Sequence, residues 1–207
     1  MYVEGEYADT SVEGNIAFNP DGVDRDFEDT MIGLGFVFDT NVAADSPFSY
    51  RFKVGYRTAN RKWKTRQRVN VPRRTDQEDA LETTMTFISK PQRVQGVTLN
   101  QTITYGVLRR PDLRLWVGPT FRFNADWYGA TTGLDIVDIA AGGGPEIGIN
   151  YHLGERVSLT SSIAYHYMYF GEHFETKGDD IRFDGSQHLL TFSIGLLFRT
   201  EFDRWVD

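Results

Sequence analysis

The chain has 207 residues, of which 40% are hydrophobic and 14% aromatic, and a net charge of −7. That length allows one domain or two, with a large apolar surface to bury. No apolar run nears the roughly 18 residues of an ordinary transmembrane helix, and the absence of cysteine excludes disulfides, zinc-thiolate sites and thiol nucleophiles.

The charge is unevenly spread. Arg57, Arg61, Lys62, Lys64, Arg66, Arg68, Arg73 and Arg74 lie close together with no acid among them. Asp21, Asp24, Asp26, Glu28 and Asp29 follow one another with only Arg25 opposing. Such local contrast says more about partners than the overall balance does. The start, MYVEGEYADT, has neither a basic n-region nor an apolar h-region. Either the chain is not secreted or a signal peptide has been removed, with Met1 added; the second is the expectation for a membrane barrel.

Period-2 alternation recurs along most of the chain, and period 3.6 is scarce. It predicts eight strands. The first is near Ser11–Phe18. The second spans about Thr30–Asp39, with Ile32, Leu34, Phe36 and Phe38 aligned. The third runs from Phe48 to about Asn60, setting Phe48, Tyr50, Phe52, Val54 and Tyr56 against Arg51, Lys53, Gly55 and Arg57. The fourth is Gly96–Arg109, its apolar row broken by Gln101. In the fifth, from Asp112 to Trp127, Leu113, Leu115, Val117, Pro119, Phe121 and Phe123 alternate with Arg114, Trp116, Gly118, Thr120 and Arg122. The sixth covers about Ile136–His152, the seventh Arg156–Phe170 and the eighth Gln187–Phe202. Long polar connections (19–29, 61–95, 125–135, 171–186) alternate with short ones (40–47, 110–112, 153–155), so the long loops should emerge at one end and the termini at the other. Ala80–Ser89 also alternates. It reads either as a hairpin arm above the second long loop or as a wall strand, which would make ten strands with MYVEGEYA.

A soluble sheet or barrel alternates too. Here the non-apolar face carries glycines, small hydroxyls and isolated charges rather than a Lys/Glu-rich surface, as a narrow barrel interior would. The aromatics collect at strand ends: Phe18, Tyr56, Phe121, Phe123, Tyr165, Tyr167 and Tyr169 toward the long loops, and Phe38, Tyr105, Tyr151, Phe198 and Phe202 toward the short turns. Two aromatic girdles around an aliphatic band are what a bilayer selects. The expected fold is therefore all-β: a single closed antiparallel up-and-down transmembrane barrel over residues 1–207, greasy side outward.

The chain thus resembles, in architecture, small outer-membrane β-barrels of the OmpA/OmpX type. The last strand, TFSIGLLFRTEF, is similar to the C-terminal signal read by the barrel-assembly machinery, through Ser193, Gly195, Phe198 and Phe202. That family usually ends on its aromatic residue, whereas DRWVD follows here. The resemblance implies the bacterial outer membrane, with its lipid, lipopolysaccharide and assembly machinery as partners, and no nucleic acid. A monomer is expected.

Inside the barrel the expected charge network is Arg51, Lys53, Arg114, Arg122 and Glu146, with Arg199 and Glu201 near the lower mouth. Glu146 and Arg122 should lie on neighbouring walls, and unpaired charge there is costly. Outside, Arg61, Lys62, Lys64, Arg66, Arg68, Arg73 and Arg74 are expected to form an anionic-ligand patch for lipopolysaccharide phosphates or host polyanions. NPDGVDRDFED offers calcium oxygens at Asp21, Asp24 and Asp26 but lacks the EF-hand pattern and reads as a solvated loop. No cofactor, metal or catalytic residue is expected. A deacylase-like Ser162/His166 pair would face inward, and an omptin-like site would need His173 with Asp179 or Asp180 on a ten-strand barrel. The leading reading is a non-enzymatic barrel anchoring surface loops. A lipid-modifying or proteolytic barrel enzyme, a small gated pore and a soluble carrier are the alternatives.

Overall fold

A computed structural model describes residues 1–13, 23–40, 47–71, 81–129, 135–154, 157–176 and 179–198. Among these residues nine strands form: β1 (Tyr2–Glu13), β2 (Val23–Asp39), β3 (Phe48–Val71), β4 (Leu81–Ile88), β5 (Gln92–Arg109), β6 (Leu113–Gly129), β7 (Asp135–His152), β8 (Val157–Thr176) and β9 (Asp179–Phe198). Each neighbouring pair is antiparallel, and β1 pairs with both β2 and β9. That second pairing closes eight strands into an up-and-down barrel. β4 stands outside the ring, pairing with the far end of β3 over Lys64–Val71. It is the hairpin arm rather than a wall strand.

The first wall strand, Tyr2–Glu13, begins well before the expected Ser11–Phe18, whose residues from Gly14 on lie outside the described residues. Val3 and Tyr7 face out while Tyr2, Glu4, Glu6 and Ala8 face in. Acids at inward positions hide such a strand from a search for apolar rows. The same effect moves other boundaries. Strand structure runs through much of 19–29, 61–95, 125–135 and 171–186, because the cross-strand ladder persists after the outward face turns polar. β3 reaches 24 residues and β8 and β9 reach 20. A bilayer needs about 9–11 residues per tilted strand, so these strands project well beyond it on the long-loop side.

The apolar rows face outward. Leu115, Val117 and Phe121 on β6 are exposed, and Arg114, Trp116, Thr120 and Arg122 between them are buried. The outer wall has aromatic rings at both ends of an aliphatic band. Phe48 and Tyr105 (centroids 5.3 Å apart) and Phe38 and Phe52 (6.3 Å) mark the turn side, while Tyr56 and Trp127 (6.3 Å) and Tyr167 and Tyr169 (5.5 Å) mark the loop side. Phe18 and Phe202 lie outside the described residues. An exposed belt of this size has no counterpart on a water-soluble monomer. With every wall strand paired on both sides, it meets the demand that hydrocarbon places on backbone polar groups.

Two prolines meet within this wall. Pro119 on β6 lies opposite Pro145 on β7. The outer ladders skip there: β5–β6 pairing stops at Thr102↔Thr120 and resumes at Tyr105↔Val117, and β7–β8 pairing stops at Gly143↔Tyr167 and resumes at Glu146↔Ala164. Proline has no N–H to give to those ladders. The residue before each proline is glycine, and a Cβ at Gly118 would overlap the Ile103 carbonyl while one at Gly144 would overlap that of Tyr165. Gly118→Ala is therefore expected to lower stability by about 1–3 kcal/mol, the usual range for overpacking. The urea midpoint of the refolded barrel measures it, and an unchanged midpoint would show that β5 gives way freely.

Candidate functional site

Alternation delivers charges to the lumen from β1, β2, β3, β6 and β7, and the lumen is tiered. Nearest the short turns, Arg51 donates from Nη2 to Thr160 Oγ1 at 2.9 Å, approaches Asp39 at 3.5 Å and stacks over the Trp116 ring at 4.4 Å. Arg114 is buried close by. In the next tier Lys53 Nζ donates to Glu146 Oε1 at 2.6 Å, and Thr102 Oγ1 donates to Glu146 Oε2 at 2.6 Å. Ser162 Oγ also donates to Glu146, at 2.7 Å, and lies 2.7 Å from Ser193 Oγ.

Above this lies a chain of ions. Arg122 Nη1 donates to Glu4 Oε1 at 2.9 Å and its Nη2 to Glu6. Arg57 Nη1 donates to Glu6 Oε2 at 3.0 Å, and Arg57 also forks onto Asp126, with Nε at 2.8 Å from Oδ1. Bidentate forks of this kind satisfy several buried oxygens with one cation. Nearest the long loops, Arg61 pairs with Asp29 at 3.0 Å and with Asp138. Its guanidinium lies 3.9 Å over the Phe27 ring. Around it packs an apolar cluster that includes Met31, Tyr128, Ile136, Met168, Phe170 and Leu189. The lumen is thus polar below and greasy above.

Arg51, Lys53, Arg114, Arg122 and Glu146 all sit in the lumen. Arg122 and Glu146 lie on adjacent strands but do not pair. The register sets Arg122 opposite Gly142 and Glu146 opposite Gly118, and each ion finds its partner across the lumen. Arg199 and Glu201 lie outside the described residues. Glu4, Glu6, Asp29, Asp39, Asp126 and Asp138 complete the network unforeseen, together with Arg57, which the alternation had already set on the face of Arg51 and Lys53. Their signal was inward parity on strands followed past their last apolar residue.

Arg61 does not belong to an outer patch. It shares the inward parity of Arg57 and Ala59, and it is 1% exposed. Lys62, on the opposite face, is exposed, and Lys64 is half-exposed and bonded to Glu28. The acidic and basic runs prove to be cross-strand neighbours: Asp29↔Arg61, Glu28↔Lys62, Asp26↔Lys64 and Asp24↔Arg66 stand opposite one another. Asp24 and Asp26 therefore lie in β2 rather than in a loop. Arg66 and Arg68 belong to β3, while Asp21, Arg73 and Arg74 lie outside the described residues. Ser162 and His166 are buried in the lumen, and His173, Asp179 and Asp180 lie within β8 and β9.

The chain is similar to two solved barrels over nearly its whole length. The outer membrane protein OprG from Pseudomonas aeruginosa superposes with a TM-score of 0.54 at 10% identity, covering 95% of this chain and 94% of that one. AlkL, an outer membrane protein solved by solid-state NMR in DMPC bilayers, gives 0.55 at 12% identity, covering 97% and 90%. The chain has the fold of a small outer-membrane β-barrel. No protein-family model matches its sequence, and no curated protein matches it significantly. Barrels of this kind sit in the bacterial outer membrane with short periplasmic turns and longer outer loops. The greasy wall fits such a membrane, with lipid around it.

Proposed function

We propose that the barrel is a non-enzymatic surface anchor that binds anionic lipopolysaccharide through cations on its outer wall. The supporting observation is an abrupt change of chemistry along the outward face of β3. Phe48, Tyr50, Phe52, Val54 and Tyr56 give way to Thr58, Asn60 and then Lys62. Arg93 of β5 stands opposite Asn60, is exposed, and reaches Thr58 Oγ1 at 3.5 Å. Lys62 also lines an open groove of about 380 Å³ with Glu28, Thr30, Asn60 and Pro91. These groups stand where the hydrocarbon belt ends, at the depth of lipid phosphates, and cations there bind through charge-assisted hydrogen bonds. Arg66, Arg68, Arg73 and Arg74, which follow Lys64 closely in the chain, would add to the positive charge of the patch. On this reading the assembly machinery inserts the chain through its last strand, and the barrel works as a monomer.

The double charge reversal Lys62→Glu with Arg93→Glu is expected to weaken binding of purified lipopolysaccharide to the refolded barrel by about tenfold or more, and to flatten the salt dependence of what remains. Heat-modifiable migration in gels should stay intact, since neither side chain supports the wall. Wild-type binding that ignores salt would dispose of the reading.

A further inference from the structure

We infer that the middle of the lumen binds one monovalent metal cation of the sodium or potassium kind, between Glu4, Tyr2, Thr98 and Asn100. Glu4 Oε2, Tyr2 Oη, Thr98 Oγ1 and Asn100 Oδ1 have no hydrogen-bond partner among the described residues. All four residues are at most 3% exposed, so bulk water does not serve them. A buried polar atom left alone costs free energy, and folded proteins rarely leave several in one place. These four lie together. The Tyr2 ring lies across two glycines: its Cε1 and Oη come within 2.7 and 2.6 Å of where side chains at Gly35 and Gly55 would begin. Thr98 Cγ2 is 3.4 Å from the same point at Gly55. Asn100 stands opposite Lys53 on one side and Arg122 on the other. Both of those cations reach Glu4, at 3.9 and 2.9 Å.

Charge decides what these oxygens serve. In this tier three carboxylates, Glu4, Glu6 and Asp126, share two guanidiniums, Arg57 and Arg122. Lys53 is matched one for one by Glu146, to which it donates at 2.6 Å. The neighbouring tiers lend no cation. Arg61 already answers Asp29 and Asp138, and Arg51 and Arg114 lie beyond Lys53 and Glu146, at the turn end. One negative charge is thus left over among the described residues of the tier, in an interior where an uncompensated charge is costly. Water satisfies hydroxyls and an amide but brings no charge with it.

The ligand atoms say which cation fits. All four are oxygens, the donors of hard ions. Among the described residues no three His, Cys, Asp or Glu side chains converge as a metal site, which sets zinc and its relatives aside. Calcium draws on several carboxylates, whereas one is offered here, and a double charge would exceed the single charge to be met. Water completes the shell of such an ion. His166, fully buried with both ring nitrogens unpartnered, offers that water a donor and an acceptor. The charges acting on its imidazole are Arg122, Glu146, Lys53 and Glu6, which sets it beside the same tier.

The test compares urea unfolding of the full refolded chain in sodium chloride, potassium chloride and choline chloride. Sodium or potassium should favour the folded state about tenfold over choline at equal ionic strength, since choline screens the surface equally but is too large for the site. Glu4→Gln keeps the shape of the side chain and removes the left-over charge, so its midpoints in the three salts should coincide. Thr98→Val with Asn100→Leu leaves every charge in place and removes two ligands, and it should lose the preference as well. Crystals soaked in rubidium chloride should show an anomalous peak beside Glu4 Oε2. Coinciding wild-type midpoints, a preference that survives in both variants, or a rubidium map without that peak overturns the inference. A protonated-carboxyl band in the infrared spectrum of the wild type in sodium chloride, missing from Glu4→Gln, also overturns it. The missing charge is then a proton, and the tier binds water alone.

Discussion

Arg122→Met is expected to destabilise the barrel by about 3–5 kcal/mol, the usual consequence of removing one member of a buried ionic network. Arg122 is fully buried and holds two carboxylates, Glu4 at 2.9 Å and Glu6, while its Nε donates to Asn124 Oδ1 at 2.9 Å. Methionine fills most of its volume but answers neither acid. Glu6 would keep Arg57, whereas Glu4 would keep only Lys53, 3.9 Å away. Two carboxylates two residues apart on one face of β1 would then repel each other within the wall. The measurement is the urea midpoint of the refolded barrel at unchanged slope. Adding Glu4→Gln to Arg122→Met should restore part of the loss, because it removes the acid left without a cation. Full stability of the single variant would mean that water reaches the lumen freely enough to solvate both acids.

The second large effect is on the outer wall. Ile147→Arg is expected to cost about 2–4 kcal/mol in a bilayer, the range for a cation at the midplane of a membrane barrel. Ile147 is 59% exposed, stands opposite Val117 and Ile163, and lies in the aliphatic band between the two aromatic levels. In water such a substitution on an exposed residue would matter little. The paired control is Asn60→Arg, above the belt, which should cost under about 1 kcal/mol because the depth penalty has faded there. Unfolding free energies of both variants in vesicles provide the comparison. Equal costs at the two depths would contradict a membrane-embedded wall.

The sequence by itself determined the fold class and the side of each strand that meets lipid. Leu113–Phe123 against Arg114 and Arg122 is enough for both, since a strand has only two faces and a bilayer accepts only one of these. The lower lumen cations were legible because they alternate with obvious apolar rows. Tertiary structure alone decided which ions meet. Parity says that Arg122 and Glu146 both point inward, but ladder register and the closing of β1 onto β9 bring Glu4 and Glu6 to Arg122 and Lys53 to Glu146. It also turned two opposed charge runs, distant in sequence, into facing strands, and so moved Arg61 from the expected outer patch into the lumen. Alternation is a local property written residue by residue, whereas register is set between neighbouring strands and closure by pairs such as Tyr2 with Gly195, from opposite ends of the chain.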